Sequence, residues 1–480
     1  MRRAKIVATL GPATSTYETV RALIDAGVDV ARLNLSHGDY SVHENNFANV
    51  RKAAEDSGRA VAILVDLQGP KIRLGKFADG PHDLAVGDIF KITIDDIAGT
   101  KEICSTTFKG LTADVNPGDF LLIDDGKVRV EVIEKDDTVV TTKVIVGGPV
   151  SNNKGINLPG VAVNVPALSE KDEDDLRWGL RIGADLIALS FVRSAKDIQR
   201  VHVIMAEENR YIPVIAKIEK PQAVDNLEEI IDAFDGIMVA RGDLGVELPL
   251  EAVPIVQKRA VELCRRMAKP VIVATQMLES MIENPVPTRA ETSDVANAVL
   301  DGADAVMLSG ETSVGKYPVV VVETMARIVE STEDHGLERI LPLTAKPRTQ
   351  GGAITLAAVE VADFVDAKYL CIFTESGDTA RRLSRIRSKI PMLAFTPLPA
   401  IRRRMALTWG VKSTLVEHVT HTDRMFIQVD DYLLTNDLAK VGDKVVVISG
   451  SPPGIVGSTN DIRVHKVGDA VHGAAPVYRE

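Results

Sequence analysis

The chain has 480 residues, 45% hydrophobic and 26% charged, an ordinary globular balance with enough apolar residues for a large core spread over several domains. A formal net charge of −11 argues against a duplex nucleic-acid binder, which needs a basic excess, but leaves room for an anionic substrate in a locally basic cleft. Cys104, Cys264 and Cys371 are scattered and form no CxxC pair, which argues against a disulfide scaffold or structural zinc; the apolar run Ile6–Leu10 is too short for a signal core and no run approaches membrane-spanning length, so a cytoplasmic protein that engages no membrane is expected.

From the N-terminus, short β-branched runs alternate with amphipathic helical stretches. Strands are predicted at Lys5–Leu10, Val28–Asn34 and Ala60–Asp66, with helices around Thr16–Ala26 and Val42–Ser57. From about Gly69 to Val165 the texture changes to short alternating segments, Phe90–Ile94, Phe120–Ile123 and Val128–Val132. The turn pairs Asp125-Gly126 and Gly147-Gly148 punctuate them and no helix intervenes, which predicts a small antiparallel β-barrel or sandwich. The βα rhythm resumes at Ser169-Glu170-Lys171-Asp172, a capping box, and continues through strands at Leu186–Phe191, Val214–Ile218, Gly236–Ala240, Val271–Ala274 and Ala305–Leu308. Three strands before the insert and five after it make eight, the number that closes a (β/α)8 barrel. Pro342–Gly352 reads as a boundary. Beyond it Tyr369–Phe373, Met392–Phe395, Thr414–Val416 and Lys444–Ser449 predict an open α/β sheet. The expected division is 1–69 with 166–341 for the catalytic barrel, 70–165 for an inserted lid and 342–480 for a C-terminal α/β regulatory domain.

In such a barrel the chemistry lies where strands end and loops begin, and residues two apart share a strand face. Arg32, Asn34 and Ser36 therefore point together at the end of strand 2, and Lys217 and Glu219 at the end of strand 5. Asp66 ends strand 3, Arg241-Gly242-Asp243 strand 6, Thr275-Gln276 strand 7 and Ser309-Gly310-Glu311-Thr312 strand 8. Glu219 and Asp243, on adjacent strands, offer oxygen ligands to a hard divalent cation, while Arg32, Arg73 and Lys217 supply fixed positive charge. Phosphoryl transfer needs mostly positioning and charge neutralisation, which this set provides. No Ser-His-Asp or Cys-His arrangement is visible, which disfavours a covalent acyl intermediate. Taken singly, each feature has an ordinary reading: a Lys/Glu ion pair, a turn aspartate at Asp243, a capping aspartate at Asp66. Polar ends on six strands of one rim have little reason to co-occur unless that rim works.

Ala31–Gly38, Gly69–Arg73, Ala216–Glu219, Met238–Gly245, Ala274–Leu278, Pro287–Glu291, Asp294–Ala298 and Met307–Thr312 closely resemble the motifs of the pyruvate kinase family, and the resemblance covers essentially the whole chain. It implies transfer of the phosphoryl group of phosphoenolpyruvate to ADP, giving pyruvate and ATP in the last step of glycolysis. It assigns Mg²⁺ or Mn²⁺ to Glu219 and Asp243, the transferring phosphoryl group and developing enolate to Lys217, and phosphoryl oxygens to Arg32. Gly242 and Asp243 fall in the substrate-binding set, and Thr275 lies near the protonated carbon, in a relay with Ser309. His37, Arg73 and Lys171 lie toward the nucleotide, which brings a second divalent ion. The insert acts as a lid and the assembly is a homotetramer.

The family's monovalent-cation site matches Asn34, Ser36, Asp66 and the backbone at Leu67. Here Lys71 stands where K⁺-requiring members have Glu, and Leu67 replaces a common Thr, so K⁺-independent activity is expected, with the Lys71 ammonium in place of the ion. Val314 replaces a basic residue found in some relatives, and no nucleotide role is assigned to Lys316. By the same resemblance Thr374, Ser376, Gly377 and Thr379 form an allosteric phosphate loop at a helix start; Glu375 and Asp378 favour a sugar monophosphate or AMP over a bisphosphate. Two other readings compete. Another phosphoenolpyruvate-using barrel enzyme would not need the lid, and a catalytically silent regulatory protein would not retain Lys217, Glu219 and Asp243.

Overall fold

The computed structural model describes residues 2–124, 126–161, 166–344, 346–455 and 457–470. The expected insert boundary at 165/166, the turn residue Asp125 and the end of the C-terminal region at 471–480 lie wholly or partly outside the described residues. Eight parallel strands close into a barrel: Lys5–Thr9, Val30–Asn34, Ala62–Asp66, Leu186–Leu189, Val214–Ile218, Gly236–Ala240, Val271–Ala274 and Ala305–Leu308, called barrel strands 1 to 8 in chain order. Strand 1 closes the ring on strand 8, Lys5 opposite Ala305.

Alternation along each strand divides two cores. Ile6, Leu33, Val65, Leu189, Ala216, Val239, Val273 and Leu308 pack outward beneath the helices. Val7, Val30, Leu64, Ala188, Ile215, Met238, Ile272 and Met307 fill the interior, where Ala406 and Leu407 of the C-terminal region plug the floor. Both faces being buried, the strands are continuous apolar runs. Two residues further toward the C-terminal ends, the interior set continues with Thr9, Arg32, Asp66, Ser190, Lys217 and Ser309 on six strands, and with Ala240 and Ala274 on strands 6 and 7. The period of two thus delivers polar side chains to one mouth.

The floor has its own order. Asp29, Asp185, Asp235 and Asp304 directly precede strands 2, 4, 6 and 8. Each accepts a hydrogen bond from an amide at the start of the neighbouring odd strand: Ile6 at 2.9 Å, Ile63 at 2.9 Å, Val214 at 2.9 Å and Val271 at 3.1 Å. These amides would otherwise be buried donors without partners. Two of the four also pair with arginines of the C-terminal region, Asp185 with Arg403 at 2.8 Å and Asp304 with Arg387 at 3.1 Å.

The insert is a six-stranded sheet plus the pair His82–Leu84 and Gly148–Val150. Single bridges from Arg73 to Gly155 and from Leu74 to Thr106 tie its first segment to both edges, curling it toward a barrel around Phe90, Leu121, Val130 and Val144. Two features depart from the sequence expectation: Ile89–Thr93 and Ile103–Ser105 pair in parallel, and a short helix occupies Leu111–Asp114. The C-terminal sheet has parallel strands Leu370–Phe373, Met392–Thr396, Val411–Leu415 and Lys444–Gly450, and an unexpected antiparallel edge strand, Thr459–Lys466.

All three cysteines are buried free thiols. Burial pushes Cys104 up to about 11 and raises Cys264 and Cys371 further above the usual thiol range. Because the thiolate is the reactive form, the folded protein is expected to resist iodoacetamide at mildly alkaline pH and to label at all three positions in concentrated guanidinium; intact-mass measurement distinguishes the two. Among the described residues no helix is long and apolar enough to cross a membrane.

Candidate active site

The mouth is organised around Lys217. Its ammonium donates to Ser190 Oγ at 2.7 Å and lies 2.9 Å from Glu219 Oε1 and 3.4 Å from Asp66 Oδ1. Arg32 pairs through Nε with Asp66 Oδ2 at 2.7 Å and donates from Nη1 to Thr9 Oγ1 at 3.0 Å. Two cations and two carboxylates thus interleave across strands 2, 3 and 5, with Thr9 of strand 1 as a neutral partner, and their side chains are nearly closed to solvent. Burial alone would push the Lys217 pKa down, but the Asp66 and Glu219 charges outweigh it and hold it above the usual lysine value. Lys217 is therefore a fixed cation at neutral pH, suited to stabilising charge rather than to giving up a proton.

Glu219 behaves oppositely. Burial raises its carboxyl pKa and the Asp243 charge raises it further, against the pull of Lys217, while Phe191 N–H donates to Oε2 at 2.7 Å. Asp243 does not end strand 6 or sit in an open turn. It lies in the first turn of the helix Arg241–Glu247, which begins directly after the strand. Arg241 anchors that start, donating to Asp294 Oδ1 at 2.8 Å and to Thr275 carbonyl at 2.7 Å.

Thr275 and Gln276 both adopt left-handed backbone, φ 68° and 54°. Such geometry in a β-branched residue costs about 1–3 kcal/mol and persists only where its surroundings impose it. Thr275 Oγ1 donates to Ala274 carbonyl at 2.6 Å and accepts from Gly242 N–H at 2.7 Å, which fixes the hydroxyl between strands 6 and 7 and commits the Gly242 amide. Ser309 Oγ is buried without a hydrogen-bond partner among the described residues. Glu311 clips the adjoining loops, accepting from Ser309 N–H at 2.7 Å and Leu278 N–H at 3.2 Å.

The expected nucleotide residues fall into two groups. Lys171 donates to Leu35 carbonyl at 3.2 Å and pairs with Asp175 at 2.5 Å, which places it at the corner that carries exposed His37. Tyr40, stacked on Trp178 at 5.0 Å, bonds the same Asp175 at 2.7 Å. Arg73 instead hooks into the insert, donating to Asn153 carbonyl at 3.0 Å. The expected monovalent set is only partly assembled. Asn34 Oδ1 accepts from Ser36 N–H at 3.2 Å, Asp66 belongs to the Arg32–Lys217 cluster, and Leu67 carbonyl accepts from Ser190 Oγ at 2.7 Å. Lys71 is not within bonding distance of any of them. Its Nζ lies 3.7 Å from where a Cβ on Gly155 would stand, with no side-chain bonding partner among the described residues. Val314 is exposed and Lys316 pairs with Glu283 at 2.5 Å.

Ser190, Thr9 and Phe191 escaped the sequence reading. Extending strand 4 to Phe191 hid Ser190 inside it, whereas the strand stops at Leu189; parity counted from Ala188 would have placed Ser190 in the mouth.

Among the described residues no three histidine, cysteine, aspartate or glutamate side chains converge as a ligand cluster. Glu219 and Asp243 are a pair of acids, the Asp243 charge raising the cost of charge on Glu219, and a divalent cation would relieve that cost with its remaining positions open to water or substrate. The donor set fits the ion.

Fold and mouth together define an enzyme of the (β/α)8 class with its charged groups at the C-terminal ends of the strands. The pyruvate kinase barrel-domain model matches residues 1–322, and the pyruvate kinase alpha/beta-domain model residues 352–465. A pyruvate kinase of Mycobacterium intracellulare is 58% identical over 470 residues, 98% of this chain and 99% of the relative. One of Corynebacterium glutamicum is 57% identical over 468 residues, 98% of each. The crystal structure of a pyruvate kinase from Cryptosporidium parvum superposes with TM-score 0.90 at 36% identity, covering 97% of this chain and 96% of that one. The chain belongs to the pyruvate kinase family.

Proposed function

We propose that this chain transfers the phosphoryl group of phosphoenolpyruvate to ADP, giving pyruvate and ATP. The observation that carries the proposal is the Lys217 ammonium, held protonated between Asp66 and Glu219 with Arg32 beside them. Lys217 and Arg32 neutralise the transferring group and the enolate left behind; Thr275, with Ser309, orients the proton delivered to that enolate's carbon. Gly242 and Asp243 lie against the substrate. Glu219 and Asp243 would hold a Mg²⁺ or Mn²⁺, which supplies charge neutralisation at the phosphoryl oxygens. His37, Lys171 and Arg73 face the nucleotide and its own divalent ion, and the insert closes over it to exclude water. A homotetramer and a cytoplasmic location accompany this reading. A lactate dehydrogenase-coupled assay with phosphoenolpyruvate and ADP tests it; absence of ADP-dependent pyruvate formation rejects it.

Activity is expected without K⁺. Lys71 lies on the segment entering the insert, so closure of the insert would carry its ammonium toward Asn34, Ser36 and Asp66. An assay containing only tetramethylammonium as monovalent cation should retain most of the rate; near-zero rate restored by KCl would reject the role of Lys71.

Regulation is assigned to the loop before the helix Asp378–Ser384. Gly377, with φ 78°, donates to Thr374 Oγ1 at 2.9 Å, Asp378 N–H to Ser376 Oγ at 3.3 Å, and Thr379 shares a 2.7 Å hydroxyl contact with Thr459. The loop lines a cavity with Glu375 and His418, and Asp378 is paired with Arg382 at 2.6 Å. A sugar monophosphate or AMP is the expected activator. Thr379→Glu should abolish its activation and leave the basal rate intact; unchanged activation by every sugar phosphate and by AMP would count against the loop.

A further inference from the structure

Glu247 occupies a position that the proposed reaction does not use. It ends the helix Arg241–Glu247, one turn beyond Asp243 and on the same side. Its carboxylate is buried. Oε1 pairs with Lys220 Nζ at 2.5 Å and accepts from Asn157 Nδ2 at 3.0 Å. Lys220 directly follows Glu219, and Asn157 belongs to the insert. The Lys220 ammonium also lies 5.4 Å from the centre of the Phe191 ring, and the Phe191 amide holds Glu219 at 2.7 Å. The same ring packs on Gly69, where a Cβ would stand 2.6 Å from it. Lys71, Asn157, Phe191, Lys220, Gln222 and Glu247 line one cavity between insert and barrel.

Lys220 follows Glu219 in the chain and Glu247 lies one turn from Asp243, so an unpaired Lys220 would add a positive charge to the segments that carry the two acids. Paired with Glu247 it does not. The same carboxylate ties the insert to the helix carrying Asp243. We propose that Glu247 is a positioning residue that cancels the Lys220 charge on the segments carrying the metal-binding acids and, through Asn157, latches the inserted unit to the barrel mouth. This rests on the reading of Glu219 and Asp243 as metal ligands.

Mn²⁺ binding to the nucleotide-free full-length enzyme, followed by electron paramagnetic resonance, separates the charge role from a structural one. Glu247→Gln keeps an acceptor for both partners but removes the charge; Mn²⁺ affinity should fall about tenfold, as for groups that support metal ligands. Adding Lys220→Met to Glu247→Gln should restore it, and Lys220→Met alone should bind at least as tightly as the parent. Unchanged affinity in Glu247→Gln, or a loss that Lys220→Met does not repair, overturns the charge role. Asn157→Ala should leave Mn²⁺ affinity unchanged and raise the KM for ADP about fivefold with kcat nearly constant; parental kinetics overturn the latch. Asp243→Asn is the control: undiminished Mn²⁺ binding there removes the metal-site reading itself and the proposal with it.

Discussion

Replacement of Lys217 by methionine is expected to lower kcat about 10³-fold while the KM for phosphoenolpyruvate changes far less. Removing one preorganised hydrogen-bond donor from a developing oxyanion typically costs about 10²–10³ in rate, and here a full charge is lost from a site nearly closed to water. The effect falls on kcat because negative charge is redistributed onto the enolate only as the phosphoryl group leaves, so the interaction is strongest in the transition state. Methionine matches the four-atom stem without the ammonium and leaves Glu219 and Asp66 facing each other with Arg32 as the remaining close cation. Glu219, already raised by burial, should then titrate still higher, and the pH profile of residual activity should shift upward. Steady-state kinetics across pH check both points. A variant retaining a tenth of the parental kcat would remove Lys217 from the centre of the mechanism.

Asp304→Ala is expected to be the most destabilising single change at the barrel floor, by roughly 3–5 kcal/mol. Asp304 Oδ1 pairs with Arg387 at 3.1 Å and accepts from Trp409 N–H at 3.4 Å, while Oδ2 accepts from Val271 N–H at 3.1 Å. Arg387 is almost fully buried, its guanidinium 4.7 Å from the centre of the Trp409 ring. Truncating the acid leaves a buried charge and two buried amides without their acceptor, whereas the double variant Asp304→Leu/Arg387→Leu removes both charges and should lose much less than the sum of the two single changes. The urea midpoint of the first transition reports this, since a chain of several units need not unfold in one step. A shift in Asp304→Ala no larger than that of an ordinary surface substitution would show that the Arg387 pair carries little of the floor's stability.

Much of this was readable in the residues. Barrel strands 5 to 8 have the limits expected from their apolar runs, because strands buried on both faces carry an unbroken hydrophobic signal that stops where the loop turns polar. Parity placed Lys217 with Glu219 on one strand end and Arg32 on another, the eight-strand count put both ends on one rim, and the structure joins them through Asp66. Thr459–Lys466 was not readable. It is a polar edge strand paired on one side, so burial imposes little pattern on it. Asp243 was assigned to a strand end because its helix spans only Arg241–Glu247, too short for a helical period to show.

By itself the sequence determined the eight-strand count, the place of the insert, the family motifs and the polar rim, because each depends on periodicity or on residues adjacent in the chain. Only the tertiary structure decided that Ser190 and Thr9 bind the two central cations and that Lys71 stands toward Gly155. It also decided that four aspartates close the floor and that Glu247 joins insert to barrel. Each of those contacts bridges segments far apart in the chain, and the distance between such segments is set by how the whole barrel closes rather than by any local pattern.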